Sequence, residues 1–220
     1  MLQGTEDSED PVQEPAAPRR ETYHHGNLRE ALIEATLRLV EEGGPDRVTV
    51  RAAALRAGVS SGAPFRHFPS KIALMTAVAE QATRRLHDAV MAAVAESAAE
   101  DPLRRFRAIG TAYLRWASRN PTHFQIVSTR SLIDYDSSES MRRDNDAIRA
   151  VMDGLLAEAQ QGGLLRPGDL GHVPLAARGL AYGLARMYAD GHFAQWHVGA
   201  EAAERSMQAA FDVLIDGLTR

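Results

Sequence analysis

Between residues 49 and 71, hydroxyls and cations stand where helices begin, an arrangement suited to holding anions. Thr49 and Ser70 are residue types that cap helix starts, and Arg51 and Lys71 follow them within two positions. The first turn of a helix carries the positive end of its macrodipole and favours Asp or Glu, so a cation there costs roughly 0.3 kcal/mol in isolation. Beside free N–H groups, the same cation completes a site for a phosphate. Each cation taken alone reads equally well as a solvated surface charge; two at equivalent places weaken that reading. Between them, Ser60, Ser61, Gly62 and Ala63 carry almost no side chain. A backbone so bare can press into a groove about 12 Å wide, the width of the DNA major groove.

The elements that must present these residues are short. Thr49 opens an alanine-rich helix that Gly58 ends in the left-handed conformation. Val59 plugs the turn, and Ser60 is expected to cap a second helix running from Ser61 to His67, with Pro64 tolerated in its first turn. Ser70 starts the next helix. Ahead of them, Asn27 with Glu30 reads as a variant capping box, and Leu28, Leu32, Ala35, Leu39 and Val40 form one buried stripe. Ile33, Leu37, Val48, Val50, Leu55, Val59, Phe68, Ile72 and Leu74 are the expected remainder of a small core. Two short helices joined by a sharp turn and braced by a third are a helix-turn-helix.

The net charge of −4 suits a nucleic-acid binder only once it is divided along the chain. Residues 1–18 contribute −5; residues 19–71 hold nine Lys or Arg against six Asp or Glu, giving +3; residues 72–220 contribute −2. Basicity is thus confined to the unit expected to meet phosphate. Arg19, Arg20, His24 and His25 could extend it as an arm, or belong to an ordinary linker. The first 20 residues read as a disordered acidic tail without the basic, apolar pattern of a signal peptide. Cysteine is absent, which excludes disulfides and thiolate metal sites and accords with a cytoplasmic setting. Charges interrupt every apolar stretch, Arg178 and Arg186 the longest among them, so no membrane span is expected.

The run "TVRAAALRAGVSSGAPFRHFPSKIALMTAV", preceded by "YHHGNLREALIEATLRLVEEGG", resembles the TetR family of one-component transcriptional regulators. The resemblance implies an all-α homodimer. It implies an N-terminal three-helix DNA-binding domain, over 21–74, and a C-terminal effector-binding and dimerisation domain, over 75–220. It places Thr49 and Arg51 on phosphates, Ser60, Ser61, Gly62 and Ala63 at or near base edges, and Phe65, His67 and Lys71 on the DNA backbone. Phe65 departs from the family's usual tyrosine and lacks the hydroxyl that would donate to a phosphate. The family's mode of action is release of a near-palindromic operator when a small molecule binds. The segment "ARGLAYGLARMYADGH" is faintly similar to a C-terminal domain of some such regulators with a Trp-His-Gly signature, of which only Gly183 survives.

Beyond Leu74, apolar spacing continues through Val78, Ala82, Leu86, Val90 and Val94 as one long helix. Further helices are expected over 102–118, 121–129, 140–161, 172–189 and 200–218, separated by Asn120-Pro121, Gly162-Gly163, Pro167-Gly168-Asp169 and Asp190-Gly191. No alternating strand pattern appears, so the expected fold is all-α throughout. The last two helices carry small and apolar residues on more than one face, among them Leu180, Gly183, Met207, Phe211 and Leu214, consistent with a homodimer through that pair. Burial within one protomer is the competing reading. Tyr113, Trp116, Phe124, Tyr182, Arg186 and Trp196 are nominated for effector contact because they lie in the segments that build the resembled family's chamber. Ordinary packing competes for each. Neither a cofactor nor a bound metal is expected. Two rival functions are weighed. An enzyme would have to use His192 and His197 as metal ligands without any accompanying catalytic pattern. A helical protein-binding adaptor would have lost DNA affinity through Phe65.

Overall fold

The computed structural model describes residues 28–219, and these are almost entirely helical. Asn27, the acidic tail and the Arg19-to-His25 arm lie outside the described residues. Eight α-helices follow one another: α1 (Leu28–Gly43), α2 (Val50–Arg56), α3 (Lys71–Glu96), α4 (Pro102–Arg119), α5 (Pro121–Ser128), α6 (Glu139–Gln161), α7 (Val173–Ala189) and α8 (Ala203–Leu218). Among the described residues there is no strand, only an isolated bridge between Leu165 and Thr219. None of these helices is long and apolar enough to cross a membrane.

The helix starts follow from side chains that satisfy otherwise orphaned N–H groups. Thr49 Oγ1 accepts from the Ala52 amide at 3.0 Å and Ser70 Oγ from Ala73 at 3.1 Å. Asp101 Oδ1 accepts from both Leu103 and Arg104 at 2.9 Å, and Pro102 and Pro121 occupy first positions, where no amide is needed. Gly58, at φ 71°, reverses the chain after α2, and the Val59 amide donates back to the Ala54 carbonyl at 3.0 Å.

Two apolar cores share α3. In the first, α1, α2 and Phe68 close over Leu74, Met75, Val78 and Ala79 of α3, joined by Ile126 of α5, Ile133 and Met141 of α6. In the second, Ala82, Leu86 and Val90 of α3 pack with α4, α6, α7 and α8 around Phe106, Leu114 and Phe211. Helix α4 is central there, in contact with α3, α6, α7 and α8.

Polar contacts tie the same helices together beside the cores. Arg84 of α3 reaches Asp144 of α6 at 3.0 Å, and the Asp144 side chain is only 3% exposed. One turn earlier on α3, Glu80 accepts from Ser138, the cap of α6, at 2.8 Å and pairs with Arg29 of α1 at 3.5 Å. Thr76 Oγ1 accepts from the Asp134 amide at 2.9 Å. One face of α3 therefore holds α1, the 130–138 loop and α6 at once.

Three sequence expectations are corrected. The second helix of the helix-turn-helix is not an α-helix from Ser61 to His67 but a 3₁₀ turn over Ala63–Arg66, and Ser60 supplies no side-chain cap. Pro64 lacks the amide that an α-helix starting at Ser60 would need, and Gly62 is a poor helix former, so only a single tight turn survives. Leu55 and Ile72, expected in the core, are 82% and 50% exposed. On α2 the inward face is taken by Val50, Ala53 and Ala54, and on α3 by Leu74 and Met75, which turns Leu55 and Ile72 outward.

Candidate nucleic-acid interface and apolar chamber

The turn between α2 and α3 presents a bare, exposed backbone flanked by the cations Arg51, Arg66 and Lys71. Ser60, Ser61 and Gly62 are exposed, as are Arg51, Arg66 and His67, while Pro64 and Phe68 point inward and anchor the turn to the first core. Phe65 is 44% exposed. Lys71 is partly buried in the first turn of α3, next to the Ser70 cap. Among the described residues none of Arg51, Arg66 and Lys71 forms an ion pair, whereas Arg29, Arg38 and Arg56 of the same unit pair with Glu80, Glu34 and Glu42. Cations left without carboxylate partners on one face are available to an external polyanion.

A small apolar cavity lies in the second core, where α3, α4, α6, α7 and α8 converge, with the exposed Arg178 at its edge. Its volume is about 30 Å³, and Phe106, Ile109, Met152 and Phe211 supply much of its wall. Gly110 sits against the Phe211 ring, and a Cβ at that position would overlap it. Among the described residues, the polar side chains that line the cavity are those of Tyr113 and Arg178, with the guanidinium carbon 4.9 Å from the centre of the Tyr113 ring. Burial pushes the Tyr113 phenol above its ordinary pKa, partly opposed by Arg178, so at neutral pH it is a hydrogen-bond donor.

Of the residues nominated from sequence, Tyr113 lines this cavity, while Trp116 and Phe124 are buried in the surrounding core. Tyr182 and Arg186 turn towards α5: the Tyr182 ring stands 6.0 Å from that of Phe124, and both side chains reach Ser128, at 3.4 Å. Trp196 is 69% exposed in the connection between α7 and α8. Gly110, Arg178 and Phe211 were not nominated. A glycine inside α4 and an arginine, one of two, inside the apolar stretch of α7 were the available signals.

An open polar groove separates α1 from α5, with Glu34 and Glu41 on one wall, Arg85 of α3 on its floor and His123 of α5 opposite. Burial, reinforced by Arg85 with Nη1 3.4 Å from the imidazole, holds the His123 pKa below its usual value, with Glu41 opposing. The folded state therefore favours the neutral ring. The associated stability is complete above the unfolded pKa of about 6.5 and is lost as pH falls through it towards the lowered folded value. His123→Gln, which does not titrate, is expected to lose less melting temperature than the parent between pH 7 and pH 5.5. Parallel losses in the two proteins would refute that role.

Comparison with known proteins bears on both features. A family model described as bacterial regulatory proteins of the tetR family matches residues 32–78, and one described as a tetracyclin repressor-like C-terminal domain matches residues 106–217. The chain belongs to the TetR family. The first of those family models is one of bacterial regulatory proteins, and no group of three or more His, Asp or Glu that could hold a metal occurs among the described residues. The HTH-type transcriptional repressor KstR of Rhodococcus jostii is 30% identical over 60% of this chain and 58% of its own length. The nucleoid occlusion factor SlmA of Vibrio vulnificus is 32% identical over 49% of this chain and 54% of its own. The chain thus spans little more than half the length of these curated relatives. A protein of unknown function from Rhodococcus sp. RHA1 superimposes with a TM-score of 0.74 at 29% identity, over 91% of this chain and 100% of that one. The ketosteroid regulator KstR2 of Mycobacterium tuberculosis shares the fold, with a TM-score of 0.63 at 21% identity over 87% of this chain and 95% of that one.

Proposed function

We propose that the protein is a TetR-type transcriptional repressor that binds a near-palindromic DNA operator as a homodimer and releases it when a small apolar effector enters the C-terminal domain. The observation that carries this reading is the bare, exposed turn at Ser60–Ala63 between cations that have no partner among the described residues. Ser61, Gly62 and Ala63 approach base edges; Thr49, Arg51, Phe65, His67 and Lys71 hold the backbone, with Phe65 stacking on sugar. The domain division at residues 74 and 75 is read as functional, the lever being α3, which belongs to both cores.

Dimerisation through α7 and α8 is favoured by what those helices leave uncovered. Leu175 and Val213 are 72% and 73% exposed, and the space beside Gly179 and Gly183 is open. Arg107 pairs with Asp212 and Asp216 and Arg115 with Glu204, which fixes α8 on α4 with Val213 facing outward. Exposed large apolar side chains on the two helices, with open space beside their glycines, favour an interface there. A two-fold axis there would set two recognition turns on successive major-groove faces.

Selection from random duplex DNA by the purified protein tests the reading, with an enriched inverted repeat expected. Recovery of no sequence, or of unrelated single sites, would overturn it. Lys71→Ala should weaken binding to all duplexes about equally and reduce the salt slope by about 1, whereas substitutions at Ser61 should alter which sequences are preferred. A sequence-dependent loss in Lys71→Ala would contradict the phosphate role.

A further inference from the structure

The chamber reading can be taken further, to the chemistry of what enters it. We propose, resting on the effector reading above, that the ligand is an apolar monocarboxylate whose head group is held by Arg178 and Tyr113 and whose hydrocarbon body displaces the Phe211 ring from Gly110.

The walls are hydrocarbon and aromatic, so the body of the ligand must be apolar. The two polar groups at the cavity are both donors. Arg178 forms no ion pair among the described residues, although its neighbours in the same domain do: Arg105 with Glu158, Arg107 with Asp212, Arg115 with Glu204 and Arg186 with Asp190. Stacked over the Tyr113 ring, a guanidinium keeps its in-plane N–H groups free for a planar, two-oxygen acceptor. The Tyr113 phenol, protonated at neutral pH, can donate to the same acceptor. One cation and one neutral donor match a single negative charge: a dianionic phosphate would leave one charge without a cation, and an amine would meet only donors. Arg178 is exposed, which places the carboxylate at the mouth and the body inward.

Room for that body has to be made. A space of about 30 Å³ holds roughly one water molecule. The side chain able to yield is Phe211, because the surface it covers is Gly110, which has no Cβ to retain the ring. Phe211 lies on α8, two residues before the outward-facing Val213, so its displacement shifts the helix proposed to meet the second protomer.

Calorimetric titration of the full chain with sodium octanoate and dodecanoate, against octan-1-ol and dodecan-1-ol at submicellar concentrations, tests this. The acids should bind the parent at least tenfold more tightly than the alcohols of equal length, one per protomer, because a hydrogen bond to a charged group is worth that much. Arg178→Gln should remove that advantage while changing alcohol affinity less than twofold, and Phe211→Ala should tighten acid and alcohol alike. Equal affinity of acid and alcohol in the parent, or equal weakening of both in Arg178→Gln, overturns the carboxylate assignment and leaves the chamber standing. Failure of parent, Arg178→Gln and Phe211→Ala to bind any of the four probes overturns the chamber as well.

Discussion

Introducing aspartate at both Leu175 and Val213 should convert the protein to a monomer and lower its affinity for a two-half-site operator by about 100- to 10,000-fold. Both side chains are more than two-thirds exposed in the single protomer, so the substitution removes almost no packing from its own core. In a two-fold interface each residue meets its symmetry-related neighbourhood, and the double change places four carboxylates in one apolar patch. Each half-site would keep its phosphate contacts, and what disappears is the second binding event that the dimer makes intramolecular. Sedimentation should report a folded monomer with unchanged far-ultraviolet dichroism, and gel shift should report loss of the full-site complex. A variant that stays dimeric and keeps full affinity would place the interface elsewhere.

Arg84→Ala should destabilise the fold by about 2–3 kcal/mol. Removing one partner of a buried ion pair costs about 3–5 kcal/mol when the remaining charge is stranded. Asp144 is that charge, with its side chain 3% exposed; the discount reflects the 44% exposure of Arg84 itself and Arg143, whose Nε lies 3.6 Å away and answers part of the lost attraction. For a chain of this size the change corresponds to a fall of about 5–10 °C in melting temperature. Replacing both partners, as Arg84→Met with Asp144→Leu, should restore much of the loss, because no charge is then left buried. A functional consequence follows from the position of the pair. Asp144 lies one turn from Ile148, which lines the chamber, so Arg84 connects the α6 wall to α3. In the single variant an effector should weaken operator binding less than in the parent. A melting temperature within about 1 °C of the parent would show that this pair does not hold α6 to α3.

The long elements were legible in the sequence because their signals are local. Thr49, Ser70 and Asp101 act as caps, Pro102 and Pro121 begin helices, and the breaks at Asn120 and Gly162 fall where the helices end. The recognition segment was misjudged in length because two neighbouring residues, Gly62 and Pro64, jointly remove what an α-helix needs, although either alone would be tolerated. Leu55 and Ile72 show the limit of apolar pattern: α2 is only two turns long, too short for periodicity to declare its inward face, and Ile72 sits in the first turn of α3, where the partner helices take Leu74 and Met75 inward instead. The chamber was least legible. Its defining contact joins Gly110 of α4 to Phe211 of α8, far apart in the chain, and nothing within either helix indicates that a missing Cβ on one is filled by a ring on the other.

From Lys71 to Glu96, α3 contains neither glycine nor proline, and its 26 residues span about 39 Å as one unbroken rod. A stiff beam gripped at both ends has nowhere to dissipate a push. Tilting it by about five degrees about its far end would swing its tip by about 3 Å, comparable to the spacing between neighbouring base pairs. In the repressor proposed above, gearing of that kind would turn a modest rearrangement among hydrocarbon walls into a misfit of a whole base-pair step at the other end.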